Sequence, residues 1–206
     1  MKIILTGGFL GSGKTTFIRH LAEFLVKQEG KRVVIIENEA GEVGIDDKLL
    51  SLDGFQVKEI SGGCICCQLT AELTVAVGQI MKQFNPQWII VEATGLAKIA
   101  SVIDTLKKYG KGFESVYTIV LADAERWQEL AEIMPDFVFS QVAAADLVLV
   151  NKIDQAPAVD LTSIISKIKE VNPQARVESV SALNGIDEKL FKGLIRDESG
   201  STPTNP

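Results

Sequence analysis

The stretch Gly8-Phe9-Leu10-Gly11-Ser12-Gly13-Lys14-Thr15 constrains this chain more than any other. It spells G-x-x-x-x-G-K-[ST] between an apolar run, Ile3-Ile4-Leu5, and a helical pattern beginning near Thr16. A strand, a tight glycine-rich turn and a helix must follow one another here. The glycines let the backbone aim N–H groups at phosphate oxygens, and the helix adds the positive end of its dipole. Gly11, Ser12, Gly13, Lys14, Thr15 and Thr16 are the expected phosphate contacts. Lys14 reaches the β- and γ-phosphates and takes a catalytic share, and Thr15 is the expected Mg2+ ligand. A nucleotide ligand follows.

The rest of the chain repeats that first unit. Apolar runs recur at Ile3-Leu5, Val33-Ile36, Val57-Ile60, Trp88-Val91, Val116-Leu121, Leu147-Val150 and Val177-Val180. Helix-like segments lie mostly between them: Thr16-Lys27, Glu72-Gln83, Ala97-Tyr109, Glu125-Ile133 and Leu161-Val171. The alternation predicts an α/β chain with the three-layer P-loop NTPase fold: a mostly parallel sheet of about seven strands with helices on both faces. Phe17, Leu21, Phe24 and Leu25, like Leu161, Ile164, Ile165 and Ile168, keep the 3.6-residue period and are read as core. A chain of 206 residues buries one such core, so a single domain over residues 1–196 is expected. The polar, Pro- and Gly-containing stretch 197–206 is expected to be a flexible tail.

Charge and cysteine usage narrow the function classes. A net charge of −6 argues against a nucleic-acid partner, which needs clustered Lys and Arg. The apolar runs are too short to span a bilayer, so no membrane partner is expected. The chain enters the phosphate loop almost at its start, so a cleavable leader would remove the nucleotide site; the cytoplasm is the expected location. All three cysteines fall within Cys64-Ile65-Cys66-Cys67, which is metal or redox spacing rather than a disulfide framework.

In open parallel sheets ligands collect beyond the carboxyl ends of the strands, so residues just after each run carry the chemistry. Asn151-Lys152-Ile153-Asp154 follows the sixth run and reads as the N-K-x-D guanine motif. The Asp154 carboxylate can accept from guanine N1–H and the 2-amino group, a pair of donors adenine does not present. Asn151 is expected to tie this loop to the phosphate loop, the Lys152 stem to cover the base, and Ser181-Ala182 to offer a backbone N–H to guanine O6. Glu92 ends a buried strand where a nucleotidase needs a carboxylate near Mg2+, and with Gly95 it forms E-x-x-G, whose glycine N–H can sense a γ-phosphate. A merely capping carboxylate is the alternative for Glu92. Glu37, at the second strand's end, is a candidate Mg2+ ligand or orienter of the attacking water, and Glu42 a candidate ligand to a second metal. A solvated acidic loop is the other reading of both.

Cys64, Cys66 and Cys67 follow Gly62-Gly63 and supply up to three thiolates on a short loop, suited to Zn2+ or a similar ion with one position left open. An incomplete site favours transfer over storage. Buried structural cysteines or a redox loop are the alternatives.

Taken together, Gly7 to Thr16, Glu37 to Asp46, Gly62-Gly63-Cys64-Ile65-Cys66-Cys67, Glu92 to Leu96 and Asn151 to Asp154 resemble the CobW/HypB/UreG-type metallochaperone GTPases, the CobW-like branch in particular. The C-x-C-C element sets that branch apart. Two positions depart from its pattern: Ala40 where phenylalanine is usual, and Lys98-Ile99 where Asp-Pro is common. The branch usually adds a second domain, which this stretch does not include.

The resemblance implies a GTPase whose nucleotide state governs binding and delivery of Zn2+, Co2+ or another divalent metal to a client metalloprotein. Mg2+-GTP would draw the Glu37–Asp46 and Gly95 loops onto the γ-phosphate and assemble the cysteines, and hydrolysis would release the metal. With no arginine evident as a finger in cis, hydrolysis is expected to be slow until a partner subunit or a nucleotide-dependent homodimer completes the site. A plain GTP switch with structural cysteines and a thiol-redox-regulated GTPase are the rival functions.

Overall fold

The computed structural model describes residues 1–37, 50–52, 55–59, 68–155 and 161–197. Its strands are β1 (Lys2–Gly8), β2 (Val33–Glu37), β3 (Leu50–Leu52), β4 (Phe55–Glu59), β5 (Trp88–Glu92), β6 (Ser115–Asp123), β7 (Leu147–Asn151) and β8 (Arg176–Ser179). They form one sheet in the order β3-β4-β2-β5-β1-β6-β7-β8. Every neighbouring pair is parallel except β3 with β4, which is antiparallel. The seven parallel strands fall on the seven apolar runs. The short strand β3 pairs through Leu50, Ser51 and Leu52 and shows no apolar run of its own.

The helices are α1 (Lys14–Lys27), α2 (Gln68–Phe84), α3 (Ile99–Tyr109), α4 (Trp127–Ile133), α5 (Pro135–Ala143), α6 (Leu161–Val171) and α7 (Glu188–Asp197). Alternate strand residues feed opposite faces, which is why continuous apolar runs are needed in the buried strands. Ile4, Ile35, Ile90 and Leu149 pack under α1 and α7 with Phe17, Leu21, Phe191 and Leu194. Ile3, Leu5, Val34 and Ile89 pack on the other face under α2 and α3 with Val77, Ile80, Val102 and Leu106. Further along that face, Val120, Val148 and Val150 meet Trp127, Val138, Val142, Ile164 and Ile168 from α4, α5 and α6. Among the described residues no helix is long and apolar enough to cross a membrane.

Two helices go beyond the sequence expectation. α5 begins at Pro135, suited to a first helical turn, and is too short for its period to stand out. α7 follows the spacing of Leu190, Phe191 and Leu194. Residues 198–206, most of the expected tail, lie outside the described residues.

Candidate nucleotide site

Strand β1 runs into the phosphate loop, and α1 starts directly after Gly13, its N-cap residue. Gly11, Thr15 and Thr16 are exposed, while Ser12 and Lys14 are buried. The Lys14 Nζ donates to the carbonyls of Gly8 and Phe9, both at 3.2 Å. Burial pushes the Lys14 pKa below the usual lysine value, and the Glu92 carboxylate pulls it part of the way back. Thr15 Oγ1 donates to that same carboxylate, 3.0 and 3.1 Å from its two oxygens. The lysine, the threonine and Glu92 thus meet at the end of β5.

Glu37 stands beside them in register. It partners Glu92 across β2 and β5 and Glu59 across β2 and β4, so three acids end three adjacent strands in one row. Beyond Glu92 the chain reaches Gly95, where a Cβ would sit 2.7 Å from the Leu10 backbone nitrogen. Only a glycine lets this loop lie directly on the phosphate loop.

The opposite side of β1 carries the second half of the site. Asn151 is buried at the end of β7, donates from Nδ2 to the Ser12 carbonyl at 2.8 Å, and accepts on Oδ1 from the Ala182 N–H at 2.9 Å. One side chain therefore joins the phosphate loop, the Asn151–Asp154 loop and the Ser181–Ala182 loop. The Ala182 N–H would have to change partner to reach a guanine O6. The Ala182 carbonyl lies 3.0 Å from His20 Nε2, which fixes the same loop from α1. Asp154 is exposed at the rim. Lys152 Nζ lies 2.8 Å from Oδ2 of the fully buried Asp123 side chain.

Asp123 also holds Arg126, whose Nε lies 3.0 Å from the same oxygen. Arg126 Nη2 donates to the Leu10 carbonyl at 2.6 Å, and its guanidinium lies 5.6 Å from the centre of the Phe9 ring. An arginine in cis does rest on the phosphate loop, clamped by Asp123 and a loop carbonyl.

The model of the CobW/HypB/UreG nucleotide-binding domain matches residues 2–179. This chain belongs to the CobW/HypB/UreG family. Among its relatives, the zinc chaperone YeiR of Escherichia coli K12 is 35% identical over 153 residues, covering 73% of this chain and 46% of YeiR. The zinc chaperone YjiA of the same organism is 33% identical over 191 residues, covering 88% of this chain and 58% of YjiA. The chain thus spans about half the length of these relatives. The crystal structure of the Zn(II)-bound YjiA GTPase from E. coli superposes with a TM-score of 0.63 at 26% identity, covering 93% of this chain and 60% of that one.

The CobW/HypB/UreG domain here brings Lys14, Thr15, Glu92, Gly95, Asn151 and Ala182 together around one loop. Glu42, Cys64, Cys66 and Cys67 lie outside the described residues. Among the described residues no group of three or more His, Cys, Asp or Glu side chains is placed to hold a metal. Asp123, Arg126 and Gln141 are the site-building residues that motifs do not reveal. Gln141 leaves one trace in the sequence, a polar residue beside Val138 and Val142 on an otherwise apolar helix face.

Proposed function

We propose that this chain binds and hydrolyses Mg2+-GTP and uses the nucleotide state to take up a divalent transition metal, Zn2+ or Co2+, and hand it to a client metalloprotein. The observation that carries the nucleotide half is the Asn151 side chain, which makes the phosphate loop and the N-K-x-D loop one site. A phosphate loop alone admits any nucleoside triphosphate; tied to Asp154, it is a guanine-nucleotide site. Lys14 exchanges its two loop carbonyls for β- and γ-phosphate oxygens. Thr15 and Glu92, already in contact, are hard oxygen ligands of the kind Mg2+ takes, with Glu37 in the neighbouring register. Mg2+ held there supplies charge neutralisation to the phosphates. Glu37 is the residue assigned to orient the attacking water.

The metal half is supported by the family and by the names of the relatives, zinc chaperones and a Zn(II)-bound GTPase. In this chain it is assigned to Cys64, Cys66 and Cys67, with Glu42 as an oxygen donor. The metal is cargo, so its site need only close while GTP is bound. Zn2+ should bind at least about tenfold more tightly with a GTP analogue than with GDP, the size of an ordinary coupling between two sites. Replacing all three cysteines with serine should abolish stoichiometric metal and leave GTP affinity unchanged. Competition titration with a chelating dye checks both, and equal Zn2+ affinities in the two nucleotide states would overturn the coupling.

The contact between Gly95 and Leu10 gives a test of the switch itself. Gly95→Ala places a methyl where the Leu10 backbone now lies and pushes the two loops apart. GTP turnover should fall about tenfold or more while GDP affinity stays within about threefold, as read by phosphate release and fluorescence titration.

A further inference from the structure

Gln141 is 3% exposed, in the last turn of α5, and its side-chain amide is used at both ends. The Gly8 N–H donates to Oε1 at 2.9 Å, and Nε2 donates to the Ala97 carbonyl at 3.0 Å. The partners fix the amide's orientation, since an N–H needs the carbonyl oxygen and a carbonyl needs the NH2 group. Gly8 opens the phosphate loop, and Ala97 lies two residues past Gly95, in the loop that rests on Leu10. The two loops therefore touch at their tips and share one anchor behind them.

The glycine before the phosphate motif has its explanation in the same place. A Cβ on Gly7 would sit 2.7 Å from Gln141 Oε1 and 2.8 Å from Ile99 Cγ1, so the backbone passes within reach of the amide only because position 7 has no side chain. At position 7 the glycine makes room for the clamp.

We propose that Gln141 is a positioning residue for GTP hydrolysis: its amide holds the loop after Glu92 in register with the phosphate loop and carries the γ-phosphate-dependent movement of that loop into α5. The inference rests on the GTP-hydrolysing reading above and is independent of the metal. When Gly95 is drawn toward a γ-phosphate, the Ala97 carbonyl moves with it, and the shared amide must follow or break one of two buried hydrogen bonds. Leaving either Gly8 or Ala97 unpaired in that interior is unfavourable, so α5 moves with the loop.

The test compares wild type with Gln141→Met, which keeps the length and loses both bonds, and Gln141→Glu, whose carboxyl restores both only when protonated. In Q141M, kcat for GTP should fall about tenfold or more with KM and GDP affinity within about threefold. In Q141E the ionised carboxylate can still accept from the Gly8 N–H but cannot donate to the Ala97 carbonyl, so kcat should lie below wild type at alkaline pH and climb toward it as the pH is lowered. A space-filling role would not give that rescue. Hydrogen exchange adds a readout separate from turnover. A non-hydrolysable GTP analogue, compared with GDP, should change protection across Pro135–Ala143 in wild type and not in Q141M. Kcat of Q141M within twofold of wild type, a Q141E profile parallel to that of Q141M, or an α5 response retained in Q141M each overturns the role of Gln141 alone. Should Q141M fail to fold, the Q141E profile decides by itself, recovery supporting the clamp and its absence overturning it. A wild-type chain that binds neither GTP analogue nor GDP overturns the GTPase reading, and this inference with it.

Discussion

Asp154→Asn should exchange the base preference of this protein, weakening GTP by roughly 10³-fold and making xanthosine triphosphate the better ligand. On the proposed function the carboxylate accepts from guanine N1–H and the 2-amino group, and two hydrogen bonds to a charged acceptor contribute about 1.5–3 kcal/mol each. An asparagine at this position keeps one acceptor and turns a donor toward the 2-position, where guanine also presents a donor and xanthine an acceptor. The loop itself should not collapse, because Asp154 is exposed while the holding is done by Asn151 and Lys152 behind it. Competition binding with GTP, XTP and ATP measures the exchange. A variant that still prefers GTP by its original margin would remove the guanine assignment.

Lys14→Ala should lower kcat/KM for GTP by about 10³-fold or more, close to the loss seen when a preorganised charge-stabilising donor is removed. It should do so without loss of fold stability. Burial holds the Lys14 pKa below 10.5, so the buried ammonium is less favourable in the folded chain than in the unfolded one, with Glu92 offsetting only part of that cost. The sign follows from linkage. The cost is fully present below the folded-state pKa of Lys14, where the group is charged in both states, and it fades as the pH rises toward 10.5. Thermal melts should therefore show the variant equal to or above wild type at neutral pH, with any advantage closing on the alkaline side. Phosphates raise the same pKa, so wild-type nucleotide affinity should decline as the pH climbs through the Lys14 pKa of the free protein. A variant that melts well below wild type at neutral pH would show that the lysine's loop contacts outweigh its desolvation.

What could be read in advance was whatever the chain keeps contiguous. The phosphate loop, E-x-x-G and N-K-x-D each compress their chemistry into a few neighbouring residues, and the buried parallel strands show themselves as unbroken apolar runs. The Asn151 tie could be anticipated because both loops announce themselves. Arg126 and Gln141 could not: Arg126 meets Leu10 across 116 residues of sequence and Gln141 meets Gly8 across 133, with no motif at the later position. Strand β3 escaped for a different reason. It is three residues long and among the described residues its strand partner is β4, so tertiary pairing rather than its own pattern makes it a strand. In α5 the polar residue among apolar neighbours was the available clue, and such a residue announces a buried partner without saying which.

The central place of β1 in the sheet divides the site into two halves with separate duties. On one side stand β4, β2 and β5, ending in the row Glu59, Glu37 and Glu92; on the other stand β6 and β7, ending in Asp123 and Asn151. The second half is tied to the phosphate loop by Asn151 and by the Asp123–Arg126 pair. On the proposed function, discrimination between di- and triphosphate falls to the acidic half. Base identity and phosphate count become separable parameters, so a protein engineer could re-address this switch to an orthogonal nucleotide through β7 alone and leave its output untouched.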